Sequence, residues 1–124
     1  MGFTFARMRI SRKLNGKWRT LRLLVDTGAF YTVIPGRILK ELGIVPIRRA
    51  SLKVADGRII QRDLGVVYAR YRDVIGSTEV IFGEKGDSPV LGVCTLEALA
   101  LKVDPRTHRL REQRVVLWVT ATPA

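Results

Sequence analysis

Residues 21–35, LRLLVDTGAFYTVIP, set an Asp-Thr-Gly tripeptide between an apolar run and a second apolar, β-prone stretch that stops at Pro35. Leu23-Leu24-Val25 reads as the end of a strand, and residues 30–35, rich in aromatic and β-branched side chains, read as the next one. Asp26 is then either a turn residue where a strand stops or a carboxylate placed for chemistry. About one chain in fifty of this length contains Asp-Thr-Gly by chance at average residue usage. The surrounding elements have to decide.

Upstream, residues 3–10 and 17–25 both show partial apolar alternation about a Leu14-Asn15-Gly16 turn, which predicts a β-hairpin running directly into Asp26. Downstream, Pro35 opens a short helix with Ile38, Leu39 and Leu42 at helical spacing and Gly43 placed to end it. Residues 51–71 hold two β-prone runs about Asp56-Gly57, among the strongest short-range hairpin signals, with a bend expected at residues 63–65. Residues 78–84 give a further strand. Residues 88–92, SPVLG, form a short apolar run feeding a helix that Thr95 is expected to cap. The tail predicts a hairpin turning at Asp104-Pro105 and a last strand through Trp118. The sum is a single mainly β domain over residues 1–124 with one or two short helices. LLVDTG and SPVLG form one faint internal echo, each an apolar run that ends at glycine ahead of helix signals.

Composition narrows the chemistry. One cysteine, Cys94, forms no disulfide within the chain and reads as a small buried side chain. With His108 the single histidine, a His/Cys metal cluster within one chain is excluded, and no Gly-rich phosphate loop with its lysine is present. Ser-His-Asp catalysis would need His108, which reads as an exposed residue of an arginine-flanked turn. No run approaches the roughly 20 apolar residues that cross a bilayer, and no apolar core of a signal peptide follows the first basic residues, so a soluble cytoplasmic protein is expected, without a membrane partner. Twenty-two basic against eleven acidic side chains give a net charge of +11, which keeps nucleic acid open as a partner. The basic residues nevertheless spread from Arg7 to Arg114, and Arg7, Arg9 and Arg22 alternate with apolar neighbours as the solvent face of a strand does. Carboxylate chemistry without metal or cofactor remains, and Asp26, behind its apolar run, is the acid best placed for a protected site.

The order apolar strand, Asp26-Thr27-Gly28, small Ala29, apolar strand, glycine-tipped hairpin and Val90-Leu91-Gly92 before a helix resembles the single-lobe aspartic proteases of the retropepsin type. The resemblance covers roughly residues 17–103. It implies a closed β-barrel lobe with one or two short helices and a flap hairpin. It implies that Asp26 is the catalytic aspartate, that the Thr27 hydroxyl braces two active-site loops against each other, and that Gly28 lets substrate backbone come close. Ala29 and Phe30 then line the substrate site, Val54, Ala55, Asp56, Gly57 and Arg58 form the flap over it, and Leu91 and Gly92 belong to the segment beneath. Phe30 and Tyr31 stand where retroviral relatives often carry acidic residues, and Val93-Cys94 where they carry Arg or Asp with a polar neighbour.

Peptide hydrolysis by carboxylates needs two of them about 3 Å apart sharing one proton. One chain offers one Asp-Thr-Gly, so an enzyme of this kind is a homodimer with its peptide-sized cleft on the two-fold axis. Two like charges at that distance do not both ionise cheaply, so activity should favour acidic pH. The terminal strand through Val115, Leu117 and Val119 either forms an interface or packs within the subunit. Two rivals stay open at this point: a non-catalytic dimeric peptide-binding module of the same fold, and a basic β-barrel that binds nucleic acid.

Overall fold

The computed structural model describes residues 3–113. Strand accounts for 52% and helix for 11%, which makes the chain mainly β as expected. β1 (Phe5–Ser11) and β2 (Trp18–Val25) form the first hairpin, in register from Phe5 opposite Leu24 to Ser11 opposite Trp18. Its alternation is physical: Ala6, Met8 and Ile10 are buried while Phe5, Arg7 and Arg9 face out. β3 (Thr32–Pro35) leads into helix α1 (Gly36–Glu41), which buries Ile38 and Leu39 and ends where Gly43 takes φ +80°. Pro35 closes β3 and caps the helix rather than entering it.

β4 (Arg48–Lys53) and β5 (Ile59–Tyr71) form the long hairpin around Asp56-Gly57. β5 runs without interruption through residues 63–65, where a bend was expected. It turns at Arg72-Asp73 into β6 (Val74–Gly83), with Arg72 at φ +53°. β7 (Val90–Leu91), helix α2 (Val93–Ala98), and the hairpin of β8 (Leu101–Asp104) and β9 (Arg109–Glu112) follow. The turn at Asp104-Pro105 is where the sequence put it, and His108 is exposed there. The last strand expected through Trp118 lies outside the described residues. Among those described, no helix is long and apolar enough to cross a membrane.

Seven strands join in the order β1-β2-β7-β3-β6-β5-β4, and pairing of Arg9–Ser11 with Tyr68–Arg70 links β1 to β5, so six of them close a ring with β4 outside it. Inside lie Met8, Ile10, Ile34, Leu39, Val67, Val80 and Leu91, each at most 2% exposed. A smaller cluster of Ala50, Leu64 and Ile81 packs with Tyr31, Val33 and Leu52 at the base of the β4–β5 hairpin. The internal echo has a structural counterpart: Leu24-Val25 and Val90-Leu91 are paired as parallel strands at the centre of the sheet.

Candidate active site

Asp26 begins the loop beyond the end of β2, and hydrogen bonds fix that loop from both sides. The Val25 N–H donates to the Thr4 carbonyl at 2.8 Å and the Asp26 N–H to the Leu91 carbonyl at 3.0 Å. The Asp26 side chain bonds its own loop, its Oδ1 accepting the Gly28 N–H at 2.9 Å, while its carbonyl accepts the Ala29 N–H at 3.1 Å. The first helical N–H groups of α2 complete the arrangement. Val93 donates to the Ala29 carbonyl and Cys94 to the Phe30 carbonyl, so donors that a helix start leaves unpaired anchor the loop instead.

Within one chain Asp26, Thr27 and Gly28 are all exposed. The apolar run before Asp26 buries Leu23 fully but leaves Leu24 and Val25 half-buried, and the tripeptide lies past the end of the strand. Among the described residues the Thr27 hydroxyl has no hydrogen-bond partner. Gly92 and Leu91 are buried under the loop, where they support it without lining the groove beside it.

That groove, of about 520 Å³, runs from Gly28, Ala29, Phe30 and Tyr31 to Ser51–Val54 of the hairpin. Val33, Ile60 and Ile81 make its wall apolar. Of the residues expected to contact substrate, Ala29, Phe30 and Val54 line it; Ala55, Asp56, Gly57 and Arg58 sit at the hairpin tip. The tip is a tight turn in which Gly57 takes φ +90° and Asp56 Oδ1 accepts the Arg58 N–H at 3.0 Å. All four tip residues are exposed. Phe30, 58% exposed, meets Tyr31 edge to face with ring centres 4.9 Å apart.

Two features of the site are not readable from the sequence. The first is a chain of buried hydroxyls. Thr32 Oγ1 accepts the Gly92 N–H at 2.9 Å and bonds Thr95 Oγ1, which bonds Thr78 Oγ1 at 2.9 Å. Thr95 therefore sits inside α2 and braces the loop, while Gly92 takes the capping position assigned to it. Cys94 beside it is only half-buried, with its Sγ donating to the Glu79 carbonyl at 3.5 Å. Thr32→Val keeps the side-chain shape and strands the buried Gly92 N–H, so it is expected to cost about 1–3 kcal/mol in denaturant unfolding.

The second feature is an ion pair on the groove wall. Arg62 of β5 holds Asp87 with two hydrogen bonds, Nε to Oδ2 at 2.7 Å and Nη2 to Oδ1 at 3.0 Å, and Asp87 Oδ2 also accepts the Glu84 N–H at 2.7 Å. The side chains are 16% and 21% exposed. Hydrogen bonding from Arg62 holds the Asp87 carboxyl below its ordinary range, against the opposing effect of burial. A depressed carboxylate stabilises the fold above its unfolded-state value of 3.8 and loses that contribution as pH falls through the lower folded-state value. Asp87→Asn should thus destabilise by about 1–2 kcal/mol at pH 7, a difference that shrinks toward pH 2 in thermal melts.

The Asp26 loop, the Asp56-Gly57 hairpin and Val90-Leu91-Gly92 before a helix follow one another in the chain in the order on which the retropepsin resemblance rests. No curated protein matches the sequence. A family model described as aspartyl protease matches residues 10–92, from β1 through the Asp26 loop and the hairpin to Gly92. With two-thirds of its length matched and six of its strands closed in a ring around an apolar core, the chain belongs to the aspartyl protease family and has a mainly β, retropepsin-like lobe.

Proposed function

We propose that the chain is an aspartic endopeptidase that acts as a homodimer, with Asp26 of each copy meeting at the two-fold axis. The observation that carries this reading is the exposed Asp26 carboxylate on a loop fixed from below, beside an open peptide-sized groove under a glycine-tipped hairpin. A lone exposed carboxylate is a poor base; two sharing a proton in a site closed by the second copy are a competent acid–base pair. One carboxylate takes a proton from water as the water attacks the scissile carbonyl, and the protonated partner donates to the carbonyl oxygen. The resulting tetrahedral intermediate collapses when the leaving nitrogen takes a proton. Gly28 leaves room for substrate backbone, and the apolar wall of Val33, Ile60 and Ile81 accommodates apolar side chains. The exposed Thr27 hydroxyl is free to bond across the axis. The Asp56-Gly57 tip, with open space where a side chain at position 57 would begin, moves over bound peptide.

Digestion of a peptide library at pH 4–5 and at pH 7 tests this reading. Cleavage of apolar-flanked sites, faster at the acidic pH and blocked by a pepstatin-like transition-state mimic, is the expected result. An intact library at both values would favour the non-catalytic peptide-binding module.

A further inference from the structure

The outer face of the β1–β2 hairpin carries a row of arginines used by neither the core nor the groove. Arg7 and Arg9 point outward from β1; Arg22 of β2 lies directly opposite Arg7, and Arg70 of β5 directly opposite Arg9. In space they follow the order Arg22, Arg7, Arg9, Arg70, a diagonal across three strands. Neighbouring strands stand about 4.8 Å apart and alternate residues on a strand about 6.5–7 Å apart, so the row extends over roughly 12 Å. Among the described residues none of the four lies within ion-pair distance of a carboxylate, whereas Arg19, Arg48, Arg49, Arg58, Arg62 and Arg111 all do.

Like charges at directly opposed positions destabilise a sheet, and here two such pairs stand side by side. Folding does not account for them. Nor is their orientation random: the Arg22 guanidinium lies 3.7 Å over the Phe5 ring, and Arg70 Nε donates to the Arg72 carbonyl at 2.8 Å. Both guanidinium groups are held near the sheet with further N–H donors to spare. A planar fork of this kind matches phosphate oxygens, and a continuous row of forks matches a linear polyanion better than it matches a single anion.

We propose that this row binds the phosphate backbone of nucleic acid, independently of base sequence, on a face separate from the groove. None of the four arginines lines the groove, so peptide and nucleic acid do not compete for the same residues. The contacts are to phosphate and not to base edges, so affinity should be strongly salt-dependent.

Fluorescence anisotropy of the full chain with a labelled mixed-sequence oligonucleotide, single-stranded and duplex, at rising NaCl concentrations tests the proposal. Binding at low salt is expected, with a logarithmic salt slope that falls by about 1.5–2 in the Arg7→Gln/Arg22→Gln variant as two phosphate contacts disappear. The same variant should bind at least about tenfold more weakly at fixed low salt. Lys40→Gln/Lys102→Gln removes equal net charge elsewhere and should leave the slope within experimental error of the parent's. Arg9→Gln/Arg70→Gln repeats the test on the second opposed pair, should the first variant fold poorly. Equal loss in the lysine and arginine variants would overturn the proposal by reducing it to general charge. No binding at low salt, or tighter binding to anionic lipid vesicles than to either oligonucleotide, would overturn it as well.

Discussion

Asp26→Asn is expected to abolish peptide cleavage, lowering kcat/KM by at least about 10⁴-fold, while the chain stays folded and associated. The amide keeps an oxygen that can accept the Gly28 N–H, so the bond that shapes the loop survives. What disappears is proton transfer: an amide neither takes a proton from water nor passes one to a carbonyl. Each such role contributes about 10²–10⁴-fold, and a substitution carried by both copies removes both roles at once. Turnover of a fluorogenic peptide, measured with the unfolding temperature and molecular mass of the same sample, checks the prediction. Cleavage at the parent rate in a folded variant would reject Asp26 as the catalytic group.

Gly92→Ala is expected to have the largest effect on stability, about 3 kcal/mol or more, with the unfolding temperature lowered by about 10 °C. The cause is space and not conformation, since Gly92 has φ −94° and ψ 176°, values open to any residue. A Cβ there would fall 2.7 Å from the Phe30 carbonyl oxygen, 2.5 Å from the Tyr31 carbonyl carbon and closer still to the Tyr31 oxygen. These are backbone atoms, and the Phe30 carbonyl is itself tied to the Cys94 N–H at 2.8 Å. The loop can yield only by moving as a unit, which would carry the Asp26 carboxylate with it. Activity should therefore fall even at temperatures where the variant remains folded. A melt within 2 °C of the parent would show that the loop gives way more easily than its hydrogen bonds indicate.

Where local chemistry dictates structure, the sequence was a sufficient guide. Asp56-Gly57 demanded a tight turn with positive φ, Gly43 a helix stop, and the alternation along residues 3–10 a strand with one buried face. The Asp26 loop and Val90-Leu91-Gly92 were legible as elements, and their parallel pairing was faintly foreshadowed by the echo between them. Long-range partnerships were not. Thr32, Thr78 and Thr95 look like ordinary β-branched or capping residues, and only the closed ring brings their hydroxyls together. Arg62 and Asp87 are 25 positions apart in a chain with 22 basic residues, so nothing local marks them as partners. The Arg72-Asp73 turn went unread because Arg72 holds a positive φ that sequence rules reserve for Gly or Asn. The exposure of Asp26 has the same origin, since a strand's apolar run says nothing about how far the next residue stands beyond it.

In the proposed enzyme the active site exists only between two copies of the chain. The most direct measurement is the activity of parent protein mixed with the Asp26→Asn variant at fixed total concentration, after subunit exchange has reached equilibrium. If both Asp26 carboxylates are needed, only dimers with two parent subunits cleave, and activity follows the square of the parent fraction, roughly a quarter at equal mixing. Activity proportional to the parent fraction, roughly half at equal mixing, would mean that each chain works alone and would contradict the account.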